Sequence, residues 1–183
     1  MAIPPQKTAL VTGCTPGGIG NALARELHSR GLFVFATART LEKITDLKEL
    51  GIECLHLIVD DTESVKACHE KAVQILNGRG LDFLINNAGK TIVRPAIEIN
   101  MSEAQSLFAT NILGIMHLTQ TFSPHLLLAK GTIVNIGSVA GHTPSPSTAS
   151  TARPKPRCTP TARVCVSNSR PLVYTLCMCK PAM

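Results

Sequence analysis

Thr8-Ala9-Leu10-Val11-Thr12-Gly13-Cys14-Thr15-Pro16-Gly17-Gly18-Ile19-Gly20 is the stretch on which the reading of this chain turns. A short apolar run ends in a glycine-rich turn, and the turn opens a helix expected over Asn21 to Arg30. Glycines at such a turn let the backbone bend tightly and approach a pyrophosphate, whose charge is favoured at a helix N-terminus. An ordinary strand-to-helix loop can carry the same residues, so the surroundings decide.

Those surroundings alternate two periods. Thr8 to Thr12, Phe33 to Thr37, Cys54 to Val59, Phe83 to Asn86 and Thr132 to Ile136 are short apolar runs that read as buried strands. Helical patterns lie between them. One runs through Leu41, Ile44, Leu47 and Leu50 to a stop at Gly51, and another through Val65, Cys68, Ala72, Ile75 and Leu76 to a stop near Gly78. A longer one opens at Ser102 with Gln105 three residues on, a capping box, and passes Phe108, Ile112, Ile115 and Leu118 before Pro124. Strands alternating with helices imply an α/β fold, a parallel sheet covered on both faces.

Composition divides the chain. Residues 1–141 hold twelve Lys and Arg against twelve Asp and Glu, whereas residues 142–183 hold six basic residues and no acid, which accounts for the whole net charge of +6. The same tail carries seven of the twelve prolines, four of the seven cysteines and Tyr174 as its one aromatic residue. Two segments follow: a domain over 1–141 and a Pro/Ser/Thr/Arg-rich tail over 142–183, expected to be disordered. An apolar content of 44% is that of a globular chain. No apolar run reaches the roughly 18 residues of a spanning helix, and Met1 to Lys7 lacks the marks of a signal peptide. Cys14, Cys54 and Cys68 are scattered, so a soluble protein of the reducing cytoplasm is expected.

Residues 8–141 resemble the short-chain dehydrogenase/reductase family. The likeness rests on the glycine segment, on Asn86-Asn87-Ala88-Gly89, on Thr110-Asn111-Ile112-Leu113-Gly114 and on Asn135-Ile136-Gly137-Ser138. The family pattern is Thr-Gly-x-x-x-Gly-x-Gly, and here one more residue than usual separates Gly13 from Gly18-Ile19-Gly20. The glycine segment and Ala36-Thr37-Ala38-Arg39 are similar to the subgroup of fungal acyl-dihydroxyacetone-phosphate reductases and secondary-metabolite reductases. The resemblance implies a Rossmann-like doubly wound sheet, truncated here after the fifth strand. It also implies hydride transfer between NADP(H) and a small-molecule carbonyl or alcohol, such as a lipid or secondary-metabolite ketone. Peripheral association with lipid or reticulum membrane is implied by the subgroup alone.

It implies a site as well. Gly13, Gly18, Ile19 and Gly20 would cradle the pyrophosphate, and Asn87, Ala88 and Gly89 would border the cofactor at the carboxyl edge of the sheet. Asp60 would bond the adenine amino group, although an Asp beside Asp61 and Thr62 also reads as a helix cap. Asn111, an amide inside an apolar helix, would hold a water of the proton relay, and Ser138 would bond the substrate carbonyl. At the end of the second strand an acid would bond the ribose 2′-hydroxyl of NAD, but this chain has Ala38 and then Arg39, whose guanidinium pairs with a 2′-phosphate. NADP(H) is therefore the expected cofactor.

The family's proton donor is a tyrosine, paired with a lysine that lowers its pKa from near 10 toward the operating pH. The tyrosine should stand at Thr151 and the lysine at Lys155, but Lys155 lies between Pro154 and Pro156, outside any long helix, and Tyr174 is too far along. The genetic code offers a reason. Read one base before the present register, Thr151 onward permits Tyr-Ser-Ala-Ser-Lys-Ala-Ala-Leu-His-Ala-Tyr, and Asn168 onward permits Glu-Leu-Ala-Pro-Leu-Gly-Val. Both strings are family-like, so the tail reads as out-of-frame sequence. Activity is then doubtful, the helix that often forms the family's homo-oligomer interface is missing, and the fifth strand should be an unprotected edge. The alternative is a non-catalytic NADP(H)-binding or regulatory protein, or a product without function. A basic tail also suits nucleic acid or an anionic membrane, but aromatic interleaving is absent. Cys158, Cys165, Cys177 and Cys179 lack the paired spacing of a zinc module, so no metal is expected.

Overall fold

The computed structural model describes residues 6–92, 98–137 and 176–179. Its elements run β1 (Thr8–Val11), α1 (Ile19–Ser29), β2 (Phe33–Ala38), a 3₁₀ turn (Leu41–Ile44), α2 (Thr45–Glu49), β3 (Glu53–His56), α3 (Thr62–Leu76) and β4 (Phe83–Asn86). They continue with α4 (Met101–Phe108), a π-helical segment (Ala109–Leu113), α5 (Gly114–Ala129), β5 (Thr132–Ile136) and β6 (Leu176–Cys179). The sheet order is β3-β2-β1-β4-β5-β6, with the first five strands parallel. This is the doubly wound α/β fold expected from the alternating pattern.

Alternation along the strands sends neighbouring side chains to opposite faces, so a sheet covered on both sides needs apolar residues at nearly every position. On one face Leu10, Phe35 and Leu84 pack with Val65, Cys68, Ala72 and Leu76 of α3 and Leu118, Phe122 and Leu126 of α5. On the other, Val11, Val34, Ala36, Ile85 and Val134 meet Ala24 of α1, Ile44 and Leu47. Burying each large side chain of this kind stabilises the fold by roughly 1.5–3 kcal/mol.

Three departures from the sequence expectation have local causes. The third strand ends at His56 rather than Val59: Leu57 N–H still donates to Ala38 O, but β2 stops there, and Ile58 N–H turns to Ser64 Oγ at 2.8 Å. The long helix opens at Met101, because Asn100 Oδ1 accepts from Glu103 N–H at 2.8 Å and from the Ser102 hydroxyl at 2.7 Å, making Asn100 the cap and Ser102 its partner. The helix also passes Pro124 and ends at Ala129. Proline removes the N–H that would reach the carbonyl four residues earlier, and here the Ser123 hydroxyl donates to that Gln120 carbonyl at 2.9 Å.

The fifth strand is not an open edge, which corrects the expectation of a sheet ending there. β6 pairs with it antiparallel, from Ile133↔Cys179 to Ile136↔Leu176. Pairing a strand needs only backbone N–H and C=O groups, and Leu-Cys-Met-Cys is a proline-free run lying between Pro171 and Pro181. Four residues of the tail are thus a strand rather than irregular. The remainder of 142–183, with its expected disorder, lies outside the described residues. No helix among the described residues is long and apolar enough to cross a membrane.

Candidate functional site

The glycine turn and the turn after β4 are built against each other. The Thr12 hydroxyl accepts from Asn87 N–H and Ala88 N–H, both at 2.9 Å, and donates to Ile85 O at 3.3 Å. Asn87 Nδ2 returns the contact, donating to Thr12 O at 2.7 Å and Gly13 O at 3.1 Å. Gly13 has φ +73°, and a Cβ there would lie 2.9 Å from Ala88 Cα, so two requirements select glycine at once. At Gly20 a Cβ would lie 2.5 Å from both Asn87 Nδ2 and Gly13 O.

The loop carbonyls are drawn into the protein. Beyond those held by Asn87, Cys14 O accepts from Asn21 Nδ2 at 3.2 Å and Thr15 O from Gly18 N–H at 3.1 Å. Cys14 N–H donates to Thr37 O at 2.9 Å, tying the loop to β2. Asn21 is held in turn by Arg25 and Asp46, whose own ion pair spans 2.5 Å. The hydrogen bond from Asn21, against the pull of burial and with help from Arg25, keeps the Asp46 carboxyl below its ordinary value. The Cys14 thiol is buried, which pushes its pKa up to about 12, so it is no nucleophile.

What remains exposed is a helix N-terminus. Gly18 caps α1 with no side-chain hydrogen bond among the described residues, and no acidic residue stands in the first turn, which begins at Ile19. Gly17, at φ +74°, has no atom of the described residues within 4 Å of a notional Cβ. Uncapped donors, the positive end of a helix and open space beside a glycine fit a phosphate group. Arg39 lies immediately past β2, exposed and without a hydrogen-bond partner among the described residues.

Asp60 is not a helix cap. Asp61 has that role, accepting from Ser64 N–H at 2.8 Å. Asp60 Oδ2 instead accepts from Lys90 Nζ at 2.8 Å and from the Thr110 hydroxyl at 2.6 Å. Burial pushes this carboxyl up, and the bonds from Lys90 and Thr110 outweigh it, so the group is held below its ordinary range. Asn111 sits in the π-helical segment, where its Oδ1 accepts from Lys90 N–H at 2.8 Å and its Nδ2 donates to Lys90 O at 2.9 Å. Gly89 lies beside it, its notional Cβ 3.4 Å from Asn111 Oδ1.

Gly13, Gly18, Ile19 and Gly20 of one turn are thereby set beside Asn87, Ala88 and Gly89 of the other, with Asp60 and Asn111 linked through Lys90. Ser138, Thr151, Lys155 and Tyr174 lie outside the described residues. Sequence reasoning passed over Thr12, Asn21, Lys90 and Thr110. Thr12 and Thr110 stood inside the quoted motifs and were readable as turn or helix polar groups; Lys90 gave no sign beyond following Gly89. No cluster of His, Cys, Asp and Glu that could hold a metal occurs among the described residues.

Residues 7–152 match the family model for short chain dehydrogenases. The chain is 39% identical over 139 residues to the NADPH-dependent 1-acyldihydroxyacetone phosphate reductase of Schizosaccharomyces pombe, across 76% of this chain and 47% of that protein. It is 42% identical over 138 residues to the short-chain dehydrogenase ptmH of Penicillium ochrochloron, across 75% and 51%. The chain therefore spans about half the length of the curated relatives it matches. Among solved structures, a short-chain dehydrogenase from Streptomyces avermitilis superposes with a TM-score of 0.71 at 32% identity, covering 78% of this chain and 53% of that one. An NADPH-bound carbonyl reductase from chicken fatty liver gives a TM-score of 0.68 at 28% identity, covering 74% and 61%.

Proposed function

Since this chain belongs to the short-chain dehydrogenase/reductase family of oxidoreductases, we propose that it binds NADP(H) and that its full-frame form reduces a small-molecule carbonyl or oxidises the matching alcohol. The observation that carries the reading is the bare N-terminus of α1 behind a turn whose carbonyls are held inward by Asn87, Asn21 and Gly18. Gly13, Gly18, Ile19 and Gly20 would present backbone N–H groups to the pyrophosphate. Arg39 would pair with the 2′-phosphate, and Ala88 and Gly89 would line the crevice. The nicotinamide supplies the hydride when bound.

Asn87 acts through the loop: its amide N–H groups restrain Thr12 O and Gly13 O and keep the turn open. Asn111 gives its side chain to the backbone of Lys90, so a water would be held by its backbone or by a lone pair left on Oδ1. The π-helical segment displaces carbonyls from the usual ladder and supplies such a backbone acceptor. Ser138 would donate to the substrate oxygen. No tyrosine stands at Thr151 to complete proton transfer, so the chain as written binds cofactor and turns over poorly. A lipid ketone is the substrate class that the name of the Schizosaccharomyces pombe relative favours, and a secondary-metabolite ketone stands beside it from the sequence resemblance alone.

Titration of NADPH and NADH tests the reading. The chain has no Trp, so the nucleotide's own emission is the reporter. NADPH should bind more tightly, and Arg39→Asp should move the preference toward NADH; equal affinity in the wild-type chain would remove the role of Arg39.

A further inference from the structure

Asn21 is the third residue of α1, buried beneath the glycine turn, and its amide is used at both ends. Nδ2 donates to Cys14 O of the turn at 3.2 Å and to Asp46 Oδ2 of α2 at 3.0 Å, while Oδ1 accepts from Arg25 Nε at 3.0 Å. Arg25 and Asp46 close the triangle with their own ion pair. With side-chain exposures of 44% and 32%, that pair stabilises little by itself.

What the pair does is remove a choice. The two ends of a carboxamide have nearly the same shape and opposite polarity, so a half-turn exchanges donor and acceptor at little steric cost. Arg25 Nε can only donate and the Asp46 carboxylate can only accept, and each meets the end of Asn21 that suits it. After a half-turn, Oδ1 would face both the Asp46 carboxylate and Cys14 O, three acceptors without a proton among them. The ion pair thus fixes Nδ2 against Cys14 O. Thr37 O holds the Cys14 N–H at 2.9 Å on the other side, so the Cys14 peptide is locked with its carbonyl turned into the protein.

We propose that Arg25 and Asp46 are positioning residues for the glycine turn: they set the orientation of the Asn21 amide, which keeps the Cys14 carbonyl dipole away from a bound pyrophosphate. The inference rests on the NADP(H) reading above. It differs from the role of Arg39 in kind, because a misplaced carbonyl in the turn weakens NADPH and NADH alike.

The test reverses the ion pair. Arg25→Glu alone sets two acids side by side and should lower both the urea midpoint and nucleotide affinity. Adding Asp46→Lys restores a pair of opposite charges, but one that demands the other orientation of Asn21, with Oδ1 toward Lys and Nδ2 toward Glu. In the double variant the urea midpoint should recover while NADPH and NADH, titrated by their own emission against the full chain, each bind about 5-fold or more weakly, the worth of one hydrogen bond. Their ratio should stay that of the parent. A purely structural ion pair would restore binding together with the midpoint, and that result overturns the proposal. So does a loss confined to NADPH, which places the effect at Arg39. If the reversed pair does not accumulate, Asn21→Ala decides: it removes the donor to Cys14 O without adding a charge and puts a strong helix former into α1. The same loss for both nucleotides is expected there, and parental affinity overturns the proposal. Failure of the wild-type chain to bind either nucleotide overturns the cofactor reading itself, and this inference with it.

Discussion

Replacing Gly20 with alanine should destabilise the domain although it puts the best helix former in place of a poor one. Gly20 is the second residue of α1, where alanine should gain up to about 1 kcal/mol. Against that, its Cβ would lie 2.5 Å from Asn87 Nδ2 and from Gly13 O, closer by about 0.9 Å than the 3.4 Å at which ordinary contact begins. Neither atom can yield cheaply. Asn87 Nδ2 holds Thr12 O and Gly13 O, and Gly13 is itself pressed against Ala88. Overpacking of this kind costs about 1–3 kcal/mol, and a buried acceptor left unpaired costs about 1–3 kcal/mol more. The net loss should be about 2–4 kcal/mol. Gly17→Ala is the control: its φ of +74° carries a left-handed penalty of about 1–2 kcal/mol, but no described residue lies within 4 Å of its notional Cβ, and the stiffer unfolded chain returns about 0.4–1 kcal/mol. Urea unfolding followed by far-ultraviolet circular dichroism suits a chain without Trp. A Gly20→Ala variant as stable as the parent, or less damaged than Gly17→Ala, would refute the claim that the two turns are packed into each other.

Three further outcomes are expected. The chain as written should show no detectable carbonyl reduction even where NADPH binds, since a positioned general acid is worth about 10²- to 10⁴-fold; robust turnover abolished by Ser138→Ala would reveal another donor. In the gene, the Ser150 codon should end in T and the Pro154 codon in A, placing TAC and AAA in the shifted register. Any other base at either position, read directly from the transcript, ends the frame argument, whereas restoring the frame should lengthen the product and yield an active NADPH reductase. Acid should weaken the fold in two stages. Burial and then His125 depress the His69 pKa below 6.5, so the unfolded chain takes up that proton first and stability falls as pH drops below 6.5. Asp46 and Asp60 are held below 3.8, so their contribution is complete above 3.8 and is lost as pH falls further through their folded values. Urea midpoints across pH check both, and His69→Asn should remove the first stage only.

Much of this molecule can be read without coordinates, and the reason is periodicity. Strands buried on both faces must be apolar throughout, which is why Phe83–Asn86 and Thr132–Ile136 stand at their expected limits. Helix ends were less legible where several side chains compete for one role: Asn100 and Ser102 are both good caps, and only the fold assigns the cap to Asn100. Pro124 reads as a stop because its missing N–H is a local fact, while the repair by Ser123 depends on a rotamer. Nor does any local property of Leu176–Cys179 announce a strand, since antiparallel pairing requires a free edge on β5, 40 residues upstream.

The same division holds for the site. Glycines at Gly13 and Gly20, asparagine at Asn87 and the basic Arg39 are legible from residue type and order, because a phosphate-binding turn restricts which side chains the backbone tolerates. The sequence by itself therefore determined the fold class and the family. Tertiary structure alone decided what each polar group is bonded to: that Asn87 restrains the glycine turn, that Asp61 rather than Asp60 caps α3, and that Lys90 joins Asp60 to Asn111. The Asn87–Thr12, Lys90–Asp60 and Lys90–Asn111 partners lie 75, 30 and 21 residues apart, and a directional bond effective within about 3 Å depends on where the fold places both ends.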